Sequence, residues 1–238
     1  MAEIMAEKEI LFQERYNSGT TWTKNDFFEK NGYLVIKNLW DADELYHPCP
    51  KERGQYNWWG RGAHQFTHTE VEAQVEGSLA RYWHPQYRYI HSAIRLKLEE
   101  ALGRKLYNTY YYDRFYFPGQ ELHKHCDRPA CEISVTVHIS TTLSEPWPIW
   151  IKTPDAYTDK KKSSVLIPGR HSSVILNAGD GMVYKGCERP HWREPMPTEY
   201  ETKWFRKVEK EGLYYHQIFF HYVLQDGERA FAAFDMGR

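Results

Sequence analysis

The sequence predicts a mainly β fold with flanking α-helices, either a β-sandwich or a jelly-roll barrel, and three observations support this prediction. Between residues 106 and 224, short apolar or alternating runs follow one another, separated by Gly, Pro, Asp and Lys turns. No long helical pattern interrupts these runs. Aromatic residues make up 16% of the chain, and aromatic side chains are enriched in strands. Regularly spaced short strands of this kind favour an all-β core.

Helical signals are confined to the first 105 residues. Residues 2–16 carry apolar positions among Glu and Lys and predict a poorly capped helix. Thr23 and Asp26 form a capping-box pattern before a short helix over 24–30. Asp41 then predicts the start of one further helical turn.

Two more helices are predicted before the strand-rich part begins. Thr67 and Glu70 resemble a helix cap and predict a helix that extends to about residue 83. Residues 87–102 are followed by Gly103 and repeat apolar side chains at four-residue spacing, namely Ile90, Ile94, Leu98 and Leu102. This spacing and stop signal make 87–102 the clearest helix of the chain.

The predicted strands number eight, and we expect a hairpin turn at 159–162, where Asp159 precedes three lysines. The length suits one domain over 1–238. Within it we expect a mostly helical elaboration over 1–105, a jelly-roll core over 106–224 and a C-terminal tail over 225–238. The strands are predicted at 33–36, 106–117, 133–139, 148–151, 163–167, 173–176, 181–184 and 214–223.

Charge and cysteine content restrict the classes of partner and compartment. Lys and Arg total 31 against 32 Asp and Glu, so no global basic field attracts nucleic acid or an anionic membrane, and any charged ligand must be bound locally. The four cysteines show no paired metal-binding spacing, and the N-terminus lacks a signal-peptide pattern. No apolar run approaches the roughly 20 residues of a membrane span. We therefore expect a cytoplasmic protein without a membrane or nucleic-acid partner.

A candidate metal site lies at the end of the aromatic run. His125 and Asp127 are one residue apart, and in an extended segment such side chains point to the same face. His191, 66 residues later, is the expected third partner. Two imidazoles and one carboxylate leave open metal positions, as in non-haem Fe(II) oxygenases. His68-x-Glu70 is a similar pair, but it begins a predicted helix, and we interpret it as a chance match.

Several motifs together carry a resemblance to a known family. Tyr116-x-Pro118-Gly119-Gln120-x-Leu122 precedes His125-x-Asp127, a Gly-Asp-x-x-x-Tyr run at 179–184 precedes His191, and a strand closes the pattern. Residues 27–36 add a helix followed by a strand. The chain thus resembles the iron(II)/2-oxoglutarate-dependent dioxygenases with a double-stranded β-helix (jelly-roll, cupin-like) fold, especially the phytanoyl-CoA and prolyl hydroxylase types.

This resemblance implies both a site and an activity. It implies that His125, Asp127 and His191 are the catalytic iron ligands, with Fe(II), 2-oxoglutarate and O2 as cofactor and cosubstrates. The implied reaction hydroxylates an unactivated C–H bond and releases succinate and CO2. The substrate would be a small molecule or a protein side chain, and the sequence does not choose between them.

In this family a basic residue binds the far carboxylate of 2-oxoglutarate, because a guanidinium fork suits a carboxylate. Many members carry that residue on the last strand, but residues 214–223 contain no Lys or Arg. Arg193, two residues after His191, is the first candidate here. Tyr112 or Tyr116 resembles the strand tyrosine that binds the same carboxylate. Other basic residues that could substitute are Arg114, Arg206 and Lys207.

Two other functions remain open at this point. A cupin-like module could bind a metal or ligand without turnover, and the missing basic residue on the last strand supports that alternative. A zinc hydrolase with the same ligands would need a general base, for which Glu121 or Glu132 is available. The aromatic, Arg-containing loop at 51–61 suggests a substrate with ring or anionic character.

Overall fold

The computed structural model describes residues 24–50, 67–68, 74–153 and 170–235. Four sequence predictions concern residues outside these ranges: the helix at 2–16, the loop at 51–61, the turn at 159–162 and the strand at 163–167. The division of 1–238 into an elaboration, a core and a tail also stays a prediction.

The described chain consists mainly of antiparallel strands. Three α-helices are present in it, α1 (Lys24–Asn31), α2 (Ala42–Leu45) and α3 (Tyr87–Leu102), together with short 3-10 helices at Pro129–Cys131 and Ala230–Phe234. The strands are β1 (Tyr33–Ile36), β2 (Thr67–His68), β3 (Leu79–Tyr82), β4 (Leu106–Tyr116), β5 (Leu122–His125), β6 (Ile133–Thr141), β7 (Ile149–Thr153), β8 (Arg170–Val174), β9 (Gly181–Lys185), β10 (His191–Arg193), β11 (Tyr200–Lys203), β12 (Arg206–Glu209) and β13 (Tyr215–Leu224).

Two facing sheets build the barrel. The large sheet has the order β1-β9-β6-β13-β4-β3-β2, and the small sheet has the order β5-β10-β7-β8. Every strand pairing is antiparallel in the described part. This is the predicted jelly roll, in which the small sheet closes over the inner face of the large one. Strands β11 and β12 form a separate two-stranded hairpin.

Among the predicted helices and strands that fall in the described residues, all but one are confirmed. Helix α3 ends at Gly103, whose φ of 63° is the left-handed conformation that glycine adopts readily. Asp41 caps α2 by accepting a hydrogen bond from the Asp43 amide. The helix predicted at 67–83 is wrong, because β2 and β3 occupy its two ends and pair with each other. The cap-like Thr67 and Glu70 gave a local signal that long-range pairing overrides.

Strand β6 shows how the two faces of the large sheet differ. Val135 and Val137 point outward and pack under α1 and α3, in a core that includes Leu98. Ser134 and Thr136 alternate with them and face the barrel interior. All four are buried, since helices cover one face and the small sheet covers the other. The interior of the barrel is therefore lined by polar side chains on a rigid scaffold.

A buried ion network joins the outer face to the helices. Arg81 donates two hydrogen bonds to Asp113, of 2.9 and 2.7 Å, and His216 lies 2.9 Å from the same carboxylate. Arg81 also donates to the Tyr87 hydroxyl, which in turn donates to the Leu45 carbonyl. The network links β3, β4 and β13 to α3 and α2. Burial opposes ionisation of Asp113, yet Arg81 and His216 hold its pKa at about 2.

We expect Asp113→Asn to lower the free energy of unfolding by about 3–5 kcal/mol at neutral pH, because Arg81 would remain buried without its anion. The folded pKa of Asp113 lies below its unfolded value, so its contribution is present above about pH 4 and is lost as the pH falls toward 2. The stability gap between wild type and variant should narrow over that range in urea titrations. Asp226→Asn, at an exposed pair, is the control. A gap that does not change with pH would contradict the network.

Candidate metal centre

Three side chains converge where the small sheet meets the turn after β5. His125 ends β5 and His191 begins β10, and the two are directly paired across the strands. Asp127 follows in the turn, where its amide donates to the Gly186 carbonyl at 2.9 Å. Its Oδ1 lies 3.5 Å from Nε2 of His125 and 3.5 Å from Nε2 of His191. The sequence-predicted ligands therefore form one group whose ligand atoms lie within 4.8 Å of one another and could hold a metal ion.

Backbone carbonyls determine which histidine nitrogens face the group. His125 Nδ1 lies 2.6 Å from the His123 carbonyl, and His191 Nδ1 lies 2.9 Å from the Arg189 carbonyl. A carbonyl oxygen only accepts hydrogen bonds, so both Nδ1 atoms carry the proton. The neutral rings then present their Nε2 lone pairs to the Asp127 carboxylate. Such carbonyl bonds also orient metal-binding histidines.

The charges of the three side chains fit a cation at the point of convergence. Two Nε2 lone pairs and a carboxylate oxygen are all electron donors, so a cation or a proton has to lie between them. Burial would raise the pKa of Asp127, but without a metal ion the positive charge of a protonated His191, and the hydrogen bonds that protonated Nε2 atoms of both histidines donate, hold it well below its usual range. Burial would lower the pKa of His191, and the Asp127 charge raises it instead. The donor set suits a divalent metal with open positions.

The second carboxylate oxygen of Asp127, Oδ2, is held by groups other than the two histidines. Ser134 on β6 donates to Asp127 Oδ2 at 2.7 Å. Gly186 has to be glycine, since an added Cβ would lie 2.3 Å from Oδ2 and 2.3 Å from the Cys131 carbonyl. The backbone of Gly186 and the hydroxyl of Ser134 thus both contact Oδ2, which leaves Oδ1 facing the histidines.

His221 on β13 completes the surroundings of the carboxylate. Its Nδ1 lies 3.0 Å from Ser134 Oγ, whose own proton goes to Asp127 or to the Cys131 carbonyl, so Nδ1 is the donor. Burial lowers the pKa of His221 to about 4. Its Nε2 is therefore a buried lone pair, with no partner among the described residues. Asp127, Cys131 and His221 form a second close group of possible ligands.

Arg193 lies deeper in the barrel, two residues beyond His191 on the same strand. Its side chain is buried, and it donates to the Trp147 carbonyl, the Tyr215 hydroxyl and Gln217 Oε1, the last at 2.8 Å. The guanidinium carbon lies 4.6 Å from the ring centres of Trp147 and of Tyr215. Its Nε has no hydrogen-bond partner among the described residues. In the described part of the chain, the partners of this cation are all neutral.

The two predicted tyrosines separate in the structure. The Tyr116 hydroxyl lies 3.4 Å from Gln217 Nε2 and packs with Trp147 and Tyr215, so it belongs to the Arg193 pocket. Tyr112 stacks on Phe219 at 4.6 Å, in a separate aromatic cluster. The structure therefore brings Tyr116, and not Tyr112, to the predicted carboxylate site.

The alternative basic residues differ in position. Arg114 is fully buried beside Tyr116, with 3.4 Å between Nη1 and the hydroxyl, so it also adjoins the Arg193 pocket. Arg206 and Lys207 lie on β12 of the separate hairpin, exposed and outside the barrel. Arg114 lies beside Tyr116 because side chains two residues apart on a strand share a face. Arg206 and Lys207 lie outside the barrel because the hairpin is an insertion between β10 and the last strand.

The carboxylates considered for a hydrolase have other partners. Glu132 accepts hydrogen bonds from the Leu224 amide and from Arg229. Glu121 lies 3.0 Å from the exposed His123. Among the described residues, neither joins the groups of possible metal ligands.

Sequence reasoning missed Ser134, Gln217, Tyr215 and His221. A signal was present for Ser134, since a polar residue between Ile133 and Val135 marks the inner face of a strand. Tyr215, Gln217 and His221 stand at alternate positions of the last strand and therefore share a face, with one register shift against β6 between His216 and Gln217. Only the pairing of β13 with β4 and β6 shows that this face is the interior.

No family model matches the chain, and no curated protein matches it. Several solved structures, however, align with most of it. A prolyl-4-hydroxylase from Pseudomonas putida aligns with a TM-score of 0.50 and 16% identity over 82% of this chain and 95% of that one. An oxidoreductase of the 2OG-Fe(II) oxygenase family from Burkholderia pseudomallei aligns with a TM-score of 0.52 and 9% identity, covering 84% and 88%. The epimerase SnoN of nogalamycin biosynthesis, described as non-heme and alpha-ketoglutarate dependent, gives 0.51 and 12%, covering 82% and 77%.

These comparisons define the class of fold. The chain has the double-stranded β-helix fold of the 2-oxoglutarate and iron(II) oxygenases, as the motifs of the sequence predicted. In the described residues, no helix is long and apolar enough to cross a membrane.

We expect Ser134→Ala to weaken divalent metal binding by about 10- to 100-fold, because the hydroxyl that orients Asp127 would be lost. Anaerobic titration of the metal-free protein with Mn(II), followed by electron paramagnetic resonance, measures the dissociation constant. Ser140→Ala is the matched control, since Ser140 lies on the same strand and its buried hydroxyl has no partner among the described residues. Equal affinity in both variants would show that Ser134 does not support the site.

Proposed function

We propose that this protein is an Fe(II)- and 2-oxoglutarate-dependent oxygenase, with His125, Asp127 and His191 as the iron ligands. The observation that carries the proposal is Arg193, a buried cation with neutral partners that shares a strand with His191. A buried charge without a counter-ion is unfavourable. An anion that reaches both the metal and Arg193 removes that penalty.

The spacing of the two residues fits a short dicarboxylate. His191 and Arg193 point to the same face, and two residues of a β-strand span about 6–7 Å. A five-carbon keto diacid has a similar length between its chelating end and its far carboxylate. Because two faces of the guanidinium are held by Trp147 and Tyr215, its fork is oriented before the ligand arrives.

When bound, iron and 2-oxoglutarate would supply, with O2 as the oxidant, oxidative decarboxylation to succinate and CO2 coupled to oxidation of a substrate C–H bond. The residues of this chain position and shield that chemistry. Asp127 and the two histidines would hold the metal through three protein ligands, and such a donor set leaves positions open for other ligands. Tyr116, Tyr215 and Gln217 supply polar contacts around the far carboxylate. Met182 and Phe219 are buried and exclude water from the barrel.

Hydroxylation of a small molecule or of a protein side chain is the reaction we propose. The structures that share this fold include one named as a prolyl-4-hydroxylase and one named as an epimerase, which are two different reactions. The fold therefore supports a choice of oxidative reactions, and the substrate pocket determines which one occurs.

We expect anaerobic addition of Fe(II) and 2-oxoglutarate to produce the visible charge-transfer band of a chelated keto acid. Asp127→Ala should lose this band and should form no succinate above background, because removal of the carboxylate leaves only two ligands. Cys126→Ala, between the two ligands but exposed, is the control. Band formation and succinate release that are unchanged in Asp127→Ala would refute the assignment. A metal-binding protein without the band would indicate the non-catalytic module.

Arg193→Gln should weaken 2-oxoglutarate binding by about 2–5 kcal/mol, because a charge-assisted pair would be lost at a buried site. Metal affinity should stay unchanged, since Arg193 contacts no ligand side chain. The dissociation constant can be measured by calorimetry on the Mn(II)-loaded protein. Arg114→Gln tests the neighbouring arginine in parallel. Loss of affinity in Arg114→Gln alone would assign the carboxylate to Arg114.

A further inference from the structure

The hairpin β11–β12 stands apart from the barrel. Its strands pair with each other and with no other strand of the described part, and most of its side chains are exposed. Its base is fixed, because Glu199 accepts hydrogen bonds from Ser144 and from Lys210. The Lys210 amide also donates to the Glu199 carbonyl. A firmly attached projection results, rather than a loose loop.

The tip of the hairpin carries two aromatic residues in an unusual conformation. Trp204 and Phe205 form the two-residue turn between Lys203 and Arg206, with φ of 50° and 66°. Both φ values are positive, as in a type I′ turn, which normally selects Asn and Gly. Bulky residues are rare at positive φ. Trp204 is 92% exposed and Phe205 is 101% exposed, so no packing within the described chain compensates for the strain.

Charge is divided along the hairpin. The half of the hairpin near the tip carries three cations, Lys203, Arg206 and Lys207, of which Lys203 pairs with Glu201 at 2.6 Å and Lys207 lies 4.3 Å from the ring centre of Tyr200. The half near the base carries four acidic residues, Glu199, Glu201, Glu209 and Glu211, and one cation, Lys210, which pairs with Glu199. Positive charge therefore predominates near the tip and negative charge near the base.

We propose that this tip docks on the surface of an anionic phospholipid bilayer. Tryptophan is enriched at membrane–water interfaces, where its ring sits at the level of the headgroups. Lysine and arginine beside it are attracted to anionic lipids. A single tip of this size gives weak and reversible binding, because stable anchoring needs more than one such signal. This local contact departs from the expectation, based on net charge, that the protein has no membrane partner.

The area of the tip argues against a protein partner. A fully covered aromatic side chain buries about 150–250 Å². Two such side chains therefore bury about 300–500 Å², whereas a specific protein interface needs about 800 Å² from each partner. A lipid surface has no such threshold, since two inserted rings are sufficient for a transient contact.

The acidic base argues against a nucleic acid. Single-stranded nucleic acids bind along a positively charged groove that follows the phosphate backbone. A polyanion that stacked on Trp204 and Phe205 would run past the four glutamates and be repelled. A planar anionic surface touches the tip alone and avoids them.

The hairpin contributes no candidate metal ligand. It is inserted between β10, which carries His191 and Arg193, and β13, which carries Tyr215 and His221. None of its residues belongs to the groups of possible metal ligands, so docking through the tip would engage none of them.

The test compares wild type with the double variant Trp204→Asn, Phe205→Gly in co-sedimentation with vesicles. Asn-Gly is the preferred pair for a type I′ turn, so the variant should keep the hairpin and have an equal or higher Tm. Vesicles of phosphatidylcholine alone and of phosphatidylcholine with phosphatidylserine are the probes. We expect wild type to bind only the anionic vesicles, more weakly at high salt, and the variant to lose at least tenfold in affinity. Phe234→Ser, at another exposed aromatic, should bind as wild type does.

Several results would overturn the proposal. One is absence of wild-type binding to anionic vesicles, and another is equal binding by the Asn-Gly variant. Binding of a single-stranded oligonucleotide that the variant loses, without vesicle binding, would assign the tip to nucleic acid. Self-association in analytical ultracentrifugation that the variant loses, again without vesicle binding, would assign it to a second copy of this chain. Vesicle binding needs no iron or 2-oxoglutarate, so it is independent of the proposed enzymatic function.

Discussion

The candidate centre depends on the Asp127 carboxylate, whose two oxygens serve different partners. Oδ2 is fixed by the Ser134 hydroxyl, and Oδ1 is thereby turned toward the Nε2 atoms of His125 and His191. Three electron donors then face one another in a buried place. Such an arrangement is stable only with a cation or an extra proton between the donors. The fold around it can be understood as the means of keeping these donors in place.

Each neighbouring element contributes to that constraint. The direct pairing of β5 with β10 sets the distance between the two histidines. Backbone carbonyls two residues earlier in each case fix the tautomers. Gly186 lets the turn after β9 approach the carboxylate, and a methyl group there would collide with it. The outer ion network around Asp113 has no part in the chemistry, but it ties the helices to the sheet that carries Ser134 and His221.

Electrostatics also connects the metal centre to the deep end of the barrel. Arg193 is a cation without an anion, and the metal group is a set of donors without a cation. A ligand with a carboxylate at one end and a chelating keto acid at the other would supply the anion for Arg193 and would bind a metal ion held by the donors. In the proposed function, Arg193 on β10 takes the place of the basic residue that the last strand lacks, and Gln217 on β13 accepts a hydrogen bond from it.

By itself, the sequence determined the secondary structure with local signals, the jelly-roll class and the three candidate ligands. Strand alternation, helix spacing with Gly103 and the His-x-Asp pair are local patterns, so they can be read from the chain. It failed at residues 67–83, where a cap-like pair suggested a helix, because β2 pairs with β3 and β3 pairs with β4 in the large sheet. Tertiary structure alone decided that Tyr116 and not Tyr112 joins Arg193, that Ser134 and His221 surround Asp127, and that Trp204 and Phe205 project into solvent. The first two facts depend on register between strands far apart in sequence, and a one-residue shift of register would turn those side chains to the opposite face. The third depends on the turn of a hairpin that pairs with no other strand of the described part.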